Sequence, residues 1–226
     1  MGRIFIEPIG YIQNDYKEKF GIPRQSGLTE NVVSKITFEE DYQDPDFFRE
    51  IEKFTHLWLI WYFSEVNKKE IKPTVRPPKL GGNKRIGVFA SRSPFRPNRI
   101  GISCVKLIQT EFNYKEGKSI FVSGADLMDG TPIIDIKPYL PYTDSRPDAS
   151  NGFALYDIKG LLDVKCSDEN LSKIPFDLVD GLFETLRHDP RPSYQNDSER
   201  IYGMSFGDMQ VKFKVDDKVL TIIDIA

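Results

Sequence analysis

Three aspartates around one tight turn are the chain's best candidates for proton transfer. Asp126, Asp129 and Asp135 lie close together in the sequence, with Asp129-Gly130 between two strand-like runs. Asp-Gly is a standard hairpin-turn pair, so the backbone alone accounts for Asp129. It does not account for Asp126 and Asp135, and a carboxylate beside a basic loop can bind a ribose hydroxyl, bind a cationic group or accept a proton. We therefore take Asp126 and Asp135 as candidate catalytic residues, acting as proton acceptors or as orienting groups.

A stiff, basic loop is the second feature that could do chemistry. Residues 91–99 contain two prolines together with Arg92, Arg96 and Arg99. Because proline fixes φ at about −65° and has no N–H, this stretch cannot be a helix or the middle of a sheet. A rigid loop that carries three guanidinium groups is suited to an anionic partner, and the alternative is a solvated basic surface loop. The apolar run at 88–90 before it predicts a buried strand.

The distribution of charge favours nucleic acid as that partner. Between Val66 and Arg99 there are ten lysines and arginines and one acid, a net charge of +9 in a chain whose total is −3, so the rest carries −12. A basic stripe on an acidic body attracts polyanions locally and orients their approach. We predict that this basic stripe (66–99) binds RNA. The residues expected to contact the RNA are Lys68, Lys69, Lys84, Arg85, Arg96 and Arg99.

The composition disfavours several other classes of protein. The chain has 226 residues, 39% of them hydrophobic, which is enough for a core. No apolar run reaches the length of about 18 residues that a membrane span needs, and an early acid and proline argue against a signal peptide, so we expect a cytoplasmic protein. Cys104 and Cys166 are isolated, and His56 and His188 have no other ligand at a suitable spacing. Neither a disulfide framework nor a metal site is therefore predicted.

The elements that must position these residues are mainly strands in the first part of the chain. Short strands separated by turn signals predict a closed or nearly closed antiparallel β-barrel. One helix is predicted at 45–54, with Asp44 as its N-cap and Pro45 at the first helical position. The strand-like runs are 3–13, 32–40, 55–63, 86–91, 100–109, 119–126 and 132–137.

A different pattern follows a proline-rich linker at 138–152. It predicts a strand at 160–166, a helix at 177–188 and strands at 201–213 and 218–225. The expected fold is therefore mainly β, with a single antiparallel β-barrel catalytic domain at 1–145 and a small C-terminal α+β domain at 146–226. Arg191 and Tyr194 lie in a second proline-stiffened loop, which we expect to contact RNA or a partner subunit. The alternative for that loop is a helix-stop signal.

Several long and unusual strings occur together in an order that resembles the TsaA-like (TrmO) family. They are residues 17–25, 76–83, 91–103, 129–132, 135–142 and 189–194, and the match runs nearly end to end. The resemblance implies an S-adenosylmethionine-dependent methyltransferase that acts on N6-threonylcarbamoyladenosine beside the tRNA anticodon. It also implies an antiparallel barrel instead of the usual α/β methyltransferase fold, and a homodimer with the cofactor site near the subunit interface.

Matching residue by residue, the resemblance implies a particular set of cofactor contacts. Relatives commonly carry a histidine after the aromatic pair at the end of the 58–65 strand, where this chain has Ser64, so a cofactor contact there is shorter or water-mediated. The expected cofactor-binding residues are Pro23, Arg24, Gln25, Ser64, Glu65, Arg92, Ile102, Asp129, Gly130, Thr131 and Pro132.

Methyl transfer from a sulfonium agrees with the residue types present. Such a cofactor activates its own methyl group, so the protein needs to align the reactants and remove one proton, and no metal is required. Two alternatives stay open. One is a non-enzymatic RNA-binding barrel, and the other is a small-molecule-binding barrel without nucleic acid, which the basic stripe argues against.

Overall fold

The computed structural model describes residues 4–66, 71–77, 84–113, 117–154, 161–192, 195 and 197–226. Lys68, Lys69 and Tyr194, which were predicted to contact RNA, lie outside these ranges. The strands are β1 (Gly10–Gln13), β2 (Val33–Phe38), β3 (His56–Tyr62), β4 (Thr74–Val75), β5 (Ile86–Gly87), β6 (Ile100–Asn113), β7 (Gly117–Ser123), β8 (Pro132–Pro138), β9 (Asp163–Lys165), β10 (Tyr202–Phe206), β11 (Met209–Asp216) and β12 (Val219–Ile225). The helices are α1 (Pro141–Asp144), α2 (Asp168–Leu171) and α3 (Val179–Arg187).

Six strands form the predicted closed barrel, in the order β1-β2-β7-β6-β3-β8, and all neighbours are antiparallel. The alternation along β3 explains its place in the wall, because Leu57, Leu59 and Trp61 are buried while the residues between them are partly exposed. Side chains from the other barrel strands, such as Ile120 and Ile133, complete the interior. The barrel is therefore a packed core, with period-two strands that bury one face.

The C-terminal part forms a four-stranded sheet in the order β10-β11-β12-β9, in which only the β12–β9 pair is parallel among the described strands. α3 covers this sheet with Leu182 and Leu186, which are fully buried in a second hydrophobic cluster. The mainly β fold with a small C-terminal α+β unit is thus confirmed. The strand predicted at 201–213 is in fact two strands, because the chain turns at Gly207, whose φ is 55°.

Two other expectations about local structure were wrong. The helix predicted at 45–54 consists of two 3₁₀ turns, Pro45–Phe48 and Ile51–Lys53, because Glu50 between them is left-handed with a φ of 72°. The Asp44 cap is confirmed, since its carboxylate accepts a hydrogen bond from the Asp46 N–H at 2.9 Å. The strand predicted at 86–91 ends at Gly87, and Val88–Ala90 is a 3₁₀ turn.

The first part of the predicted linker is fixed to the barrel. It forms the short helix α1, and the carboxylate of Asp144 accepts hydrogen bonds from Trp58 Nε1 and from the Leu140 N–H, each at 2.9 Å. These bonds lower the pKa of Asp144 because they stabilise the ionised form. Within the described residues, no helix is long and apolar enough to cross a membrane.

Candidate active site

The strand order places three long loops at one end of the barrel. β1, β3 and β7 end there, and β2, β8 and β6 begin there, because neighbouring strands alternate in direction. The connections that leave this end are the β1–β2 loop (14–32), the β3–β6 loop (63–99) and the β7–β8 loop (124–131). These loops carry most of the residues that sequence predicted for catalysis and cofactor binding.

A chain of hydrogen bonds leads from the barrel interior to Asp126. Trp61 Nε1 donates to Ser103 Oγ at 2.9 Å, and Ser103 Oγ donates to Asp126 Oδ1 at 2.5 Å. Burial raises the pKa of the Asp126 carboxyl, although the bond from Ser103 and the charge of Arg92 act in the opposite direction. A half-buried carboxyl with a raised pKa and a fixed orientation is a candidate general base.

The β1–β2 loop brings further polar groups to this carboxyl. Arg92 Nη1 donates to Gln25 Oε1 at 2.5 Å, so the β3–β6 and β1–β2 loops meet. Ser26 Oγ accepts from the Cys104 N–H at 3.2 Å, at the stretch of β6 that precedes its pairing with β7. The loop therefore satisfies a backbone donor that the barrel wall leaves unpaired there. Arg92, Gln25 and Asp126 consequently share one region of the barrel end.

A close backbone approach joins the β1–β2 loop to the β7–β8 loop. Gly27 N–H donates to the Gly124 carbonyl at 2.8 Å, and a Cβ added to Gly124 would lie 3.2 Å from Gly27 Cα. Both glycines have left-handed φ values, 78° and 80°. Further along, Asp129 accepts hydrogen bonds from the Asn14 N–H and from Lys17 Nζ, each at 2.9 Å. Asp129 thus anchors the two loops to each other.

The remaining residues of the 129–132 turn are held by hydrogen bonds to backbone carbonyls and by strand pairing. Gly130 N–H donates to the Ile12 carbonyl at 2.8 Å, and Thr131 Oγ1 donates to the Met128 carbonyl at 2.6 Å. Pro132 begins β8 opposite Tyr11 of β1. The turn therefore lies at the same barrel end as Arg92 and Gln25, next to the β1–β2 loop.

Asp135 and Ile102 lie on the outer face of the barrel wall, apart from Asp126. Both are paired with Ile60 of β3, whose side chain points outward. Asp135 forms an exposed ion pair with Lys137 at 2.8 Å. The structure therefore separates the two aspartates that sequence predicted as catalytic, because a wall residue faces either the interior or the exterior.

The other predicted cofactor residues surround the same end of the barrel. Pro23 is buried in the β1–β2 loop, whereas Arg24 is exposed. Ser64 and Glu65 are exposed directly after β3, and the Glu65 carbonyl accepts from Lys19 Nζ at 3.3 Å. This contact again connects the β1–β2 and β3–β6 loops.

Several arginines of the basic stripe hold their own loop. Arg96 Nη1 donates to the Ser91 carbonyl at 2.9 Å, and Arg99 Nη1 donates to the Val66 carbonyl at 2.6 Å. Arg85 Nη1 donates to Thr74 Oγ1 at 2.9 Å, across the β4–β5 pair. Lys84 is exposed. These arginines have an internal structural role besides the RNA contacts predicted for them.

Arg191 has an internal position instead of the exposed one that an RNA contact requires. Its side chain is 9% exposed, and Nε and Nη2 donate to the Asp189 carboxylate at 2.8 and 3.0 Å. The guanidinium also lies over the Tyr202 ring at 6.0 Å. The Arg191 carbonyl accepts from Arg24 Nη2 at 2.7 Å, so this loop contacts the β1–β2 loop.

Sequence reasoning missed Ser103 and Trp61. A polar residue in the middle of the apolar 100–105 run was the available signal for Ser103. Its partnership with Trp61 and Asp126 depends on the register that sets Ser103 opposite Leu59, and sequence did not provide that register.

The groups at this end of the barrel fit S-adenosylmethionine. The cofactor presents a carboxylate, an ammonium group, a sulfonium centre and ribose hydroxyls, so it needs both donors and acceptors. Arg92 and Arg24 supply guanidinium donors, and Gln25 supplies an amide beside them. Asp126 supplies a half-buried carboxylate. Among the described residues, no group of three or more His, Cys, Asp or Glu is arranged to hold a metal ion.

The closed six-stranded antiparallel barrel, with a half-buried carboxyl and arginines at one end, differs from the parallel-sheet α/β fold of the usual methyltransferases. Comparison with models of protein families identifies the family. Residues 11–145 match the tRNA-methyltransferase O N-terminal domain, and residues 159–226 match the TrmO C-terminal domain. The chain therefore belongs to the tRNA-methyltransferase O family.

Individual relatives agree with this assignment. The chain is 39% identical to the tRNA (adenine(37)-N6)-methyltransferase of Escherichia coli, over 96% of this chain and 95% of that protein. It is 34% identical to a putative S-adenosylmethionine-dependent methyltransferase, RcsF, of Pseudomonas aeruginosa, over 98% and 97% of the two chains. The crystal structure of TrmO from Pseudomonas aeruginosa superimposes with a TM-score of 0.80 at 29% identity and covers all of both chains.

Proposed function

We propose that this protein transfers a methyl group from S-adenosylmethionine to N6 of adenine 37 in tRNA, and that the adenine carries a threonylcarbamoyl group. The observation that carries the proposal is the Asp126 carboxyl, which Ser103 orients next to Arg92 and Gln25. Membership in the tRNA-methyltransferase O family supports the same activity. We also propose a cytoplasmic location, in which Cys104 and Cys166, both unpaired, stay reduced.

Each side chain at the barrel end has a distinct task in this proposal. Asp126 accepts the proton that leaves N6, and the ureido group of a threonylcarbamoyl substituent makes that proton more acidic than in plain adenine. Ser103 and Trp61 keep the carboxylate in one orientation. Arg92 and Gln25 bind the polar end of the cofactor. S-adenosylmethionine, when bound, supplies a methyl group that its sulfonium already activates.

The decisive experiment compares two forms of one tRNA. The purified protein is incubated with S-adenosylmethionine and with tRNA that does or does not carry threonylcarbamoyl at adenine 37, and the nucleosides are then analysed by mass spectrometry. We expect N6-methylation only of the threonylcarbamoyl form. Methylation of unmodified adenine 37 would contradict the proposed substrate, and tRNA binding without any methylation would favour the non-enzymatic RNA-binding barrel.

The basic stripe leads to a prediction about tRNA affinity. Replacing Lys84 and Arg85 together by alanine should weaken binding of all tRNAs alike, since both residues would neutralise phosphates. The slope of log affinity against log salt should become shallower by about 0.7 to 0.9 for each phosphate that the variant no longer neutralises. Fluorescence anisotropy over a salt series measures the slope.

Lys212→Ala is the matched control for this prediction. Lys212 lies on β11 of the C-terminal sheet, where its Nζ pairs with Asp224 at 3.1 Å. Its removal should leave the salt slope unchanged. An unchanged slope in the Lys84/Arg85 variant would mean that RNA binds elsewhere.

We further propose a homodimer that uses the outer face of β3 and β6. Ile60 lies opposite Ile102 there, and Ile100 lies on the same face. Ile102 is 50% exposed, and exposed apolar rows on a barrel wall are typical of protein contacts. A second copy on this face would lie beside Ile102, which the family resemblance assigns to the cofactor site.

Sedimentation equilibrium tests the dimer. Ile102→Asp should convert the dimer to a monomer because the interface would bury a charge. Ile223→Asp is the control, since Ile223 is 43% exposed on β12 of the C-terminal sheet, outside the proposed face, and should tolerate the change. A wild-type protein that stays monomeric at every concentration would contradict the proposal.

A further inference from the structure

The β1–β2 loop belongs to the hydrophobic core of the C-terminal unit. Tyr16 and Val32, at the two ends of the loop, are buried in the same cluster as α3 and strands β10 to β12. Between them, Phe20 stacks on Phe213 of β11, with ring centroids 6.3 Å apart. Ile22 packs against the same cluster. The loop is thus held by a core that is remote from it in sequence.

A buried hydroxyl chain links the loop to α3. Tyr16 Oη lies 3.0 Å from Thr29 Oγ1 and 3.2 Å from Thr185 Oγ1. Thr185 donates its one hydroxyl proton to the Gly181 carbonyl at 2.8 Å, so it accepts from Tyr16, and Tyr16 in turn accepts from Thr29. Burial raises the pKa of Tyr16 to about 12, so the hydroxyl remains a donor even in alkaline solution.

Charged groups reinforce the attachment along the loop. Glu18 Oε1 accepts from the Ser205 N–H at 2.6 Å, and Glu184 Oε2 accepts from the Asn31 N–H at 2.7 Å. Hydrogen bonds from backbone amides to carboxylates are among the stronger ones in proteins. The loop is therefore anchored to the C-terminal unit on both sides of residues 24–27.

Residues 25–27 face the opposite way, toward the candidate active site. Gln25 accepts from Arg92, Ser26 accepts from the Cys104 N–H, and Gly27 donates to Gly124. Arg24 connects the two sides, because its guanidinium donates to the Arg191 carbonyl of the C-terminal unit. The β1–β2 loop is consequently a bridge between that unit and the groups around Asp126.

We propose that the C-terminal unit sets the affinity for S-adenosylmethionine by holding the β1–β2 loop in place, with Thr185 as a positioning residue. This inference rests on the proposed function. Thr185 does not belong to the candidate active site, and it acts through Tyr16. Removal of its hydroxyl releases one anchor of the loop, so residues 24–27 become less well ordered. Binding of the cofactor must then order them, and the free-energy cost of ordering lowers the affinity.

The test measures binding of S-adenosylhomocysteine by isothermal titration, together with KM values for S-adenosylmethionine and tRNA. Thr185→Val keeps the shape of the side chain and removes the hydroxyl. It should raise the Kd for S-adenosylhomocysteine about fivefold, the effect of one hydrogen bond. The KM for S-adenosylmethionine should rise in parallel, and the KM for tRNA should stay the same. Thr185→Ser retains the hydroxyl and should restore tight binding.

Two further variants keep the result interpretable. Glu184→Ala removes the acceptor of the Asn31 N–H and should raise the same Kd even if Thr185→Val folds poorly. Ile36→Val changes a fully buried residue of β2 in the separate barrel core, and it should lower the melting temperature without changing the Kd.

Several results would overturn the inference. One is an unchanged Kd in both Thr185→Val and Glu184→Ala, and another is a rise in the KM for tRNA alone. An equal decrease in affinity in Ile36→Val would also overturn it, since a general decrease in stability would then explain the effect. If the wild-type protein binds no S-adenosylhomocysteine, the proposed function fails together with the inference.

Discussion

Replacing Asp126 by asparagine is expected to lower kcat for tRNA methylation by about 10²- to 10⁴-fold, the usual contribution of a general base. Asparagine keeps the shape of the side chain and can accept the Ser103 hydrogen bond, so the variant should fold. Methyl incorporation under single-turnover conditions measures the effect. A variant with wild-type kcat would exclude Asp126 as the base.

The same substitution should make the protein more stable at neutral pH. Because burial raises the pKa of Asp126 above its unfolded value, ionisation of this carboxyl in the folded state lowers stability as pH rises through the folded pKa. Asparagine cannot ionise, so the gain in melting temperature should grow as pH rises from the unfolded pKa to the folded pKa, and it should vanish below the unfolded value. Thermal unfolding across pH measures the gain, and a melting temperature that falls at neutral pH would contradict the assignment.

Ser103→Ala tests the role of Asp126 through the pH dependence of activity. The Ser103 hydrogen bond lowers the pKa of Asp126, so its removal should raise that pKa further. The acidic limb of the kcat/KM profile should then move to higher pH, because the base must be ionised to act. Activity should recover on the alkaline side, which distinguishes a shifted pKa from a damaged site.

Gly101→Ala is expected to destabilise the barrel by about 1–3 kcal/mol, the usual cost of overpacking a core. A Cβ at Gly101 would lie 2.3, 2.5 and 2.7 Å from three atoms of the Trp61 indole. The ring must move, and its hydrogen bond to Ser103 is then broken. Urea unfolding measures the stability, and kcat should fall as Asp126 loses its support.

Gly203→Ala is the control for that substitution. Gly203 also lies in a strand, but a Cβ there meets no atom within 4 Å and φ is not left-handed. This variant should be as stable as the wild type. Equal stability of the two variants would contradict the tight packing of Trp61 against β6.

The barrel could be predicted from sequence because its signal is local. Each strand alternates over a few residues, and the turn residues between strands are recognisable, so β3 and β8 were found nearly at their observed bounds. The helix prediction for residues 45–54 was wrong for a reason that is also local. Its apolar spacing fits a helix, but Glu50 adopts a left-handed conformation that ends the helical path.

The candidate site was only partly predictable because it depends on long-range register. Asp126 was found from its place beside a turn. Its support by Ser103 and Trp61 requires knowing which residues face the interior, and that follows from barrel closure. Asp135 was predicted to be catalytic for the same reason as Asp126. Its pairing with Ile60 directs its side chain outward, and sequence did not reveal that pairing. Arg191 was assigned to RNA although Asp189 engages it internally.

The shared core has a consequence for the order in which the chain can fold during synthesis. Tyr16 leaves the ribosome 169 residues before Thr185, its hydrogen-bond partner in α3. At ordinary translation rates, that interval is on the order of ten to thirty seconds. Throughout it, the apolar side chains of the β1–β2 loop have no core to enter, so the nascent barrel exposes an apolar surface that chaperones can recognise. The exposure ends only after β10 to β12, which supply much of that core, have been made.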